Sequence, residues 1–142
     1  MADRFCVRVS VRSYEIDPNG HVNGAVYLQY AEHARWEYLR TAGVDQGQLK
    51  ELGFGPVNME TVIRYHAEVF YGDTLDVSCE IEWGAGKTFR VPQELRRADG
   101  TLVAEVNSVG GLLDLRERRL VADPAERFRA VTANPELLGL GD

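Results

Sequence analysis

Cysteine is scarce in this chain: Cys6 and Cys79 are the only two among 142 residues. Two thiols cannot build the disulfide framework of a small secreted domain, and their positions match no metal-ligand spacing. Positive charge is also short, with 16 Lys and Arg against 22 Asp and Glu and a net charge of −6. That balance offers no electrostatic footprint for nucleic acid. No apolar run approaches the ~20 residues needed to cross a bilayer. The opening MADRFCVRVSVRS lacks the basic flank, apolar block and cleavage site of a secretory leader. Internal repeats and low-complexity segments are missing as well. Together these absences predict one soluble domain over 1–142 in a reducing compartment, a bacterial cytoplasm. They leave no place for a membrane or nucleic-acid partner, and no metal or other cofactor is expected.

What is present is patterned. The chain is 44% hydrophobic, enough for one core. Phe5, Val7, Val9 and Val11 alternate with Cys6, Arg8, Ser10 and Arg12, the period of a strand with one buried face. Cys6 shares its face with two arginines and so lies outside the core. Asp17-Pro18-Asn19-Gly20 is turn chemistry, because proline fixes φ while asparagine and glycine accept positive φ. The period then changes. Asn23 is a helix cap, and Val26, Tyr27, Tyr30, Ala31, Ala34 and Tyr38 recur at helical spacing up to a stop at Gly43. Leu28, Trp36 and Leu39 add apolar area on other faces. A helix apolar on most sides needs a sheet curved around it.

The sheet follows. A short helix is predicted from Gln46 to Leu52, then a strand from Val57 to Val69 and a turn at Tyr71-Gly72-Asp73-Thr74. Leu75 to Trp83 alternates cleanly and places Cys79 inside as a small hydrophobe. Thr88 to Arg97 is a strand whose Pro92 predicts an edge or a bulge. Asp99-Gly100 marks a hairpin. Leu102 to Leu115 is the last long strand, with Gly110-Gly111 at a bulge or a close backbone approach. Asp123-Pro124-Ala125-Glu126 has a cap, a first-turn proline and a capping-box acid, so a helix runs to about Val131. Residues 134–142 read as a loose tail. The class is α+β, an antiparallel sheet with one dominant helix.

The run from Asp17 to Arg35 carries Asp17, Gly20, His21, Val22 and Asn23, then Gly24, Tyr27, Tyr30, Glu32, Ala34 and Arg35. It resembles the hot-dog-fold thioesterases of the hydroxybenzoyl-CoA and acyl-ACP branch, whose pattern is D-x-x-G-H-V-N-N-x-x-Y-x-x-Y-x-E-x-A-R. Gly24 stands where the second asparagine is usual. Asp17, Asn19 and His21 also reproduce the D-x-N-x-H of plant acyl-ACP thioesterases, and Tyr71-Gly72-Asp73 is similar to the family's strand-connecting turn. The resemblance implies a hot-dog fold, with a five- to six-stranded antiparallel sheet wrapped around one long central helix. It also implies homodimers or homotetramers with active sites at subunit interfaces, a substrate presented on CoA or an acyl carrier protein, and a catalytic carboxylate at Asp17.

Thioester hydrolysis needs a nucleophile or base near the carbonyl carbon and a donor to the oxygen that becomes negative. The leaving thiol has a pKa of about 8.5 in a model side chain, so no strong general acid is required. Asp17 is the expected base or nucleophile, with Asn19 and His21 positioning water or the carbonyl. Backbone amides from Gly24 through Ala25 to Val26 are the expected oxyanion hole, with glycine allowing close approach and Tyr27 beside it. Glu32 is a second candidate acid. Arg96, Arg97, Arg116, Arg118 and Arg119 are candidate contacts for CoA phosphates or an acidic carrier.

Each has a plainer reading. Asp17 also suits an Asx-turn, Asn19 suits the turn's own geometry, and His21 can bond backbone across the loop. His33 and His66 sit on patterned elements and read as solvated or satisfied. The arginines can simply be a solvated strand end. Two other functions fit the fold. A hydroxyacyl dehydratase wants a histidine facing a helical acid, and a non-catalytic acyl-CoA-binding module needs the pocket without the carboxylate.

Overall fold

Period-two patterning becomes five principal strands in the computed structural model, which describes residues 4–141. These are β1 (Cys6–Ser10), β2 (Phe54–Tyr65), β3 (Thr74–Ser78), β5 (Thr88–Arg97) and β6 (Leu102–Asp114). They form one antiparallel sheet in the order β1-β3-β5-β6-β2. Two short strands, β4 (Glu82–Trp83) and β7 (Arg119–Leu120), pair with β5 and β6. The sheet curls around α1 (Gly24–Thr41), which packs on β1, β3 and β6. This is the hot-dog arrangement. Two short helices, α2 (Gln46–Glu51) and α3 (Pro124–Arg129), complete it.

The long helix begins and ends as its sequence dictates. The Asn23 side chain accepts from Ala25 N–H at 3.0 Å, and Gly43 leaves the helix at a φ of 72°. Val26, Tyr27, Tyr30, Ala31, Ala34 and Tyr38 are its buried face. Ala31 and Ala34 are fully buried, and their small side chains let the sheet come close.

The core has two clusters, one at each half of α1. The first gathers Tyr27, Tyr30 and Ala34 with Val77, Leu95 and Val106. The second gathers Tyr38 with Phe89, Val91, Leu112, Phe128 and Leu138. Gln93 lies between them on β5, 1% exposed. Its Nε2 donates to the carbonyls of Ala31 (2.9 Å) and Ser78 (3.2 Å), tying helix to sheet.

Several expectations are corrected. The strand expected from Val57 to Val69 ends at Tyr65 and carries a bulge between Asn58 and Glu60, which leaves Met59 exposed. Pro92 sits within an interior strand. It pairs with Asn107 on one side, while on the other it falls between the stretches that pair with β3 and β4, so its missing N–H is not needed. Asp123 makes no side-chain cap. The tail expected to be loose from residue 134 is packed: Leu138 and Leu140 are buried, and Tyr38 and the Trp83 indole donate to the carbonyls of Leu137 (2.6 Å) and Leu138 (2.7 Å). Asp142 lies outside the described residues. The Gly110-Gly111 pair does mark a close approach, since a Cβ on Gly110 would stand 3.0 Å from the Val57 carbonyl oxygen.

Candidate active site

The loop before α1 is closed by its own backbone. Asp17 N–H donates to His21 O at 2.9 Å, and Gly20 N–H to Asp17 O at 2.9 Å, with Gly20 at a φ of 87° that suits glycine. The Asp17 side chain joins in. Its Oδ1 accepts from Asn19 N–H (2.9 Å) and His21 N–H (3.4 Å). The loop is then bolted to the body of the protein. Val22 N–H donates to Val69 O at 2.7 Å and Asn23 N–H to Glu15 O at 2.9 Å. Glu15 is a buried acid that accepts from the Tyr30 hydroxyl (2.6 Å) and from Arg12. Burial and this carboxylate push the Tyr30 phenol pKa well up, so the hydroxyl stays a donor.

With Oδ1 committed to the turn, Oδ2 is the Asp17 oxygen left for chemistry. Its neighbour is His21 Nδ1 at 3.7 Å, and His21 Nε2 stands 3.3 Å from the Glu68 carboxylate. A cleft of about 470 Å³ opens here, lined among others by Asp17, His21, Gly24, Tyr27, Tyr65 and Glu68. Tyr27 is 4% exposed, and burial, then Tyr65, raises its pKa. Tyr65 packs edge-on against it at 5.0 Å and donates its hydroxyl to the Gly24 carbonyl at 3.0 Å.

Two of the three amides expected to form an oxyanion hole are already engaged. Ala25 N–H is taken by the Asn23 side chain and Val26 N–H by the Asn23 carbonyl at 2.9 Å. Among the described residues, Gly24 N–H is the amide of the three without a protein acceptor. Asn19 is exposed, lies outside the cleft lining, and contributes its backbone to Asp17.

Glu32, the second candidate acid, lies outside the lining of this cleft. Eight residues along the helix, about 12 Å away, it pairs with Arg35 at 3.7 Å and borders a different cavity. That cavity, about 260 Å³, is lined mainly by apolar groups, including Trp36, Leu39, Cys79, Phe89 and Phe128. Burial pushes the Cys79 thiol up to about 12, so it stays neutral there.

The five arginines do not form one patch. Arg96 and Arg97 close β5, whereas Arg116, Arg118 and Arg119 follow the far end of β6, a 13-residue strand about 40 Å long. Arg119 is paired with Glu117, and Arg116 N–H serves the Asp114 turn. At the other end Arg96 binds Glu94 and the Gly100 carbonyl, while Arg97 donates to the Glu68 carbonyl at 2.7 Å, at the margin of the cleft. His66, expected to be satisfied, is bonded to Glu105 at 2.8 Å, yet it also borders the cleft. The residues missed from sequence are Tyr65, Glu68 and Glu15. Only the fold returns 65–68 to the start of α1.

Residues 11–138 match the family model described as the thioesterase-like superfamily. The chain belongs to this superfamily. It is 27% identical over 117 residues to the long-chain acyl-CoA thioesterase FadM of Escherichia coli, covering 81% of this chain and 87% of that protein. It is 32% identical over 81 residues to the acyl-acyl carrier protein thioesterase ATL3 of Arabidopsis thaliana, covering 57% of this chain and 43% of that one. The chain spans less than two thirds of the first two curated relatives it matches. A 1,4-dihydroxy-2-naphthoyl-CoA thioesterase from Synechocystis superposes with a TM-score of 0.80 at 21% identity, over 91% of this chain and 95% of that one. That likeness carries the fold.

Proposed function

We propose that this protein hydrolyses an acyl thioester, presented on CoA or an acyl carrier protein, in the cleft at the start of α1. The observation that carries this is the Asp17 carboxylate, fixed through Oδ1 and open through Oδ2, in the same cleft as the uncommitted Gly24 N–H. The thioester carbonyl oxygen rests on Gly24 N–H, where the helix dipole adds positive potential. Asp17 Oδ2 then takes a proton from an attacking water, or attacks the carbonyl carbon itself. Water is consumed and the carboxylic acid and free thiol are released by either route. Single-turnover reaction in labelled water tests the covalent route, because label enters Asp17 only when water opens an anhydride at the Asp17 carboxyl carbon. His21 orients Asp17 or the water, and Arg97 lies where a phosphate of CoA or an acidic carrier surface can approach. The relatives' printed activities on acyl-CoA and acyl-ACP support this substrate class.

The dehydratase alternative loses ground because the helical acid it needs, Glu32, borders the other cavity. A binding module has no use for a carboxylate held open at the cleft. Among the described residues no helix is long and apolar enough to cross a membrane, which is compatible with the cytoplasmic placement we favour. β2 ends the sheet order and exposes Met59, Val62 and Tyr65. An unpaired edge of this kind invites a second copy, and a homodimer or homotetramer with the cleft near its interface follows.

The test is thiol release from a panel of acyl-CoAs and acyl carrier proteins, comparing wild type with Asp17→Asn. Turnover by the wild type, with a large fall in the variant and binding kept, supports the reading. No release from any thioester overturns it.

A further inference from the structure

Resting on that reading, the geometry points to a catalytic residue on a different element: we propose that the Tyr65 hydroxyl is the second donor to the thioester carbonyl oxygen. A tetrahedral oxyanion is held best by two donors aimed at one point, and among the described residues the start of α1 offers one uncommitted amide, Gly24 N–H. Tyr65 comes from the end of β2 and reaches the same residue. Its Oη is 3.0 Å from the Gly24 carbonyl oxygen and 3.5 Å from the place a Cβ on Gly24 would occupy. Since a Cβ stands about 2.5 Å from its own nitrogen, Oη is at most about 6 Å from Gly24 N. One oxygen can therefore lie about 3 Å from both donors, within ordinary hydrogen-bond range.

Three features suit the phenol to this role. Its ring is steadied by the edge contact with Tyr27, 85° between planes, yet the residue remains 55% exposed. Its present acceptor, the Gly24 carbonyl, is the first of the helix and also faces the N–H four residues on. Turning the hydroxyl toward substrate thus leaves no orphaned group. Finally, a side chain at position 24 would occupy the space in front of Oη, and the glycine there keeps it open. No proton is transferred by Tyr65. It donates a hydrogen bond that strengthens as the carbonyl oxygen gains charge, while Asp17 handles the proton or the covalent bond.

The experiment is steady-state thiol release with an acyl-CoA that the wild type turns over, on Tyr65→Phe and Gly24→Ala. Tyr65→Phe keeps the ring and its packing, so kcat should fall about 10²-fold or more with KM within about threefold. Gly24→Ala improves helix propensity, and its Cβ meets Oη only at ordinary contact distance. Its melting temperature should hold or rise while kcat falls at least about tenfold, a split that a merely structural role would not give. Wild-type kcat in Tyr65→Phe overturns the role of Tyr65 and leaves the thioesterase reading standing. Unchanged kcat in Gly24→Ala overturns placement of the carbonyl between the two groups. Absence of release from the wild type overturns both proposals.

Discussion

The two ends of α1 are made of opposite materials. At its N-terminus the chain supplies two carboxylates, two histidines, two phenols and an uncommitted amide around an open cleft. Along its C-terminal half it supplies Trp36, Tyr38, Leu39, Phe89 and Phe128 around a smaller apolar cavity. The difference follows from what a helix leaves unfinished. Its first N–H groups have no intrahelical partner, so polar chemistry collects there. The other half has side chains to bury, and it recruits α3 and the tail to cover them. Activity and stability should therefore separate along one helix.

Two substitutions break the comparison from either end. Asp17→Asn keeps an oxygen for the turn amides but loses the open carboxylate oxygen. It should cost about 10²–10⁴-fold in kcat with no loss of melting temperature. Phe128→Ala, at a residue 1% exposed, should destabilise by about 3–5 kcal/mol in urea unfolding. It should leave kcat of the folded fraction near wild type. Collapse of stability in the first, or of turnover in the second, would erase the separation.

Tyr30→Phe sharpens it. This residue joins the Asp17 loop to the helix through buried Glu15, and loss of that charge-assisted bond should cost about 1.5–3 kcal/mol by denaturant midpoint. Arg97→Gln should raise KM for an acyl-CoA about two- to fivefold, the scale of an exposed ionic contact. Joint replacement of Arg116, Arg118 and Arg119 should not. The reverse result would move substrate to the other end of the sheet. The smallest effect is one of pH. Arg4, then Arg96, holds the Glu94 carboxyl below its ordinary range. A depressed folded pKa means the contribution is present above the unfolded value, about 4.3, and is lost as pH falls through the folded value. Glu94→Gln should therefore narrow the stability gap between pH 7 and pH 3, by about 1 kcal/mol or less.

Much of the fold was legible because it is written locally. Alternation at Val7, Val9 and Val11, the Asn23 cap and the Gly43 stop are properties of neighbouring residues. What depends on chain closure was not. Pro92 reads as an edge residue, yet its strand is interior and merely unpaired on one side at that point. The tail's Leu137, Leu138 and Leu140 were an apolar signal, but only Tyr38 and Trp83 reveal what they cover. The arginines look clustered by type, and a strand's length separates them. Asp17, His21 and Gly24 stand out because one loop holds them. Tyr65 and Glu68 reach the cleft from some forty positions away, and no local pattern announces that return.

The central claim concerns where a thioester carbonyl comes to rest, and a crystal structure with a non-hydrolysable acyl-CoA analogue tests it most directly. The account predicts the carbonyl oxygen 2.7–3.1 Å from Gly24 N, with Asp17 Oδ2 beside the carbonyl carbon. An analogue bound with its carbonyl in the cavity beside Phe128, and the Asp17 cleft empty, would contradict it.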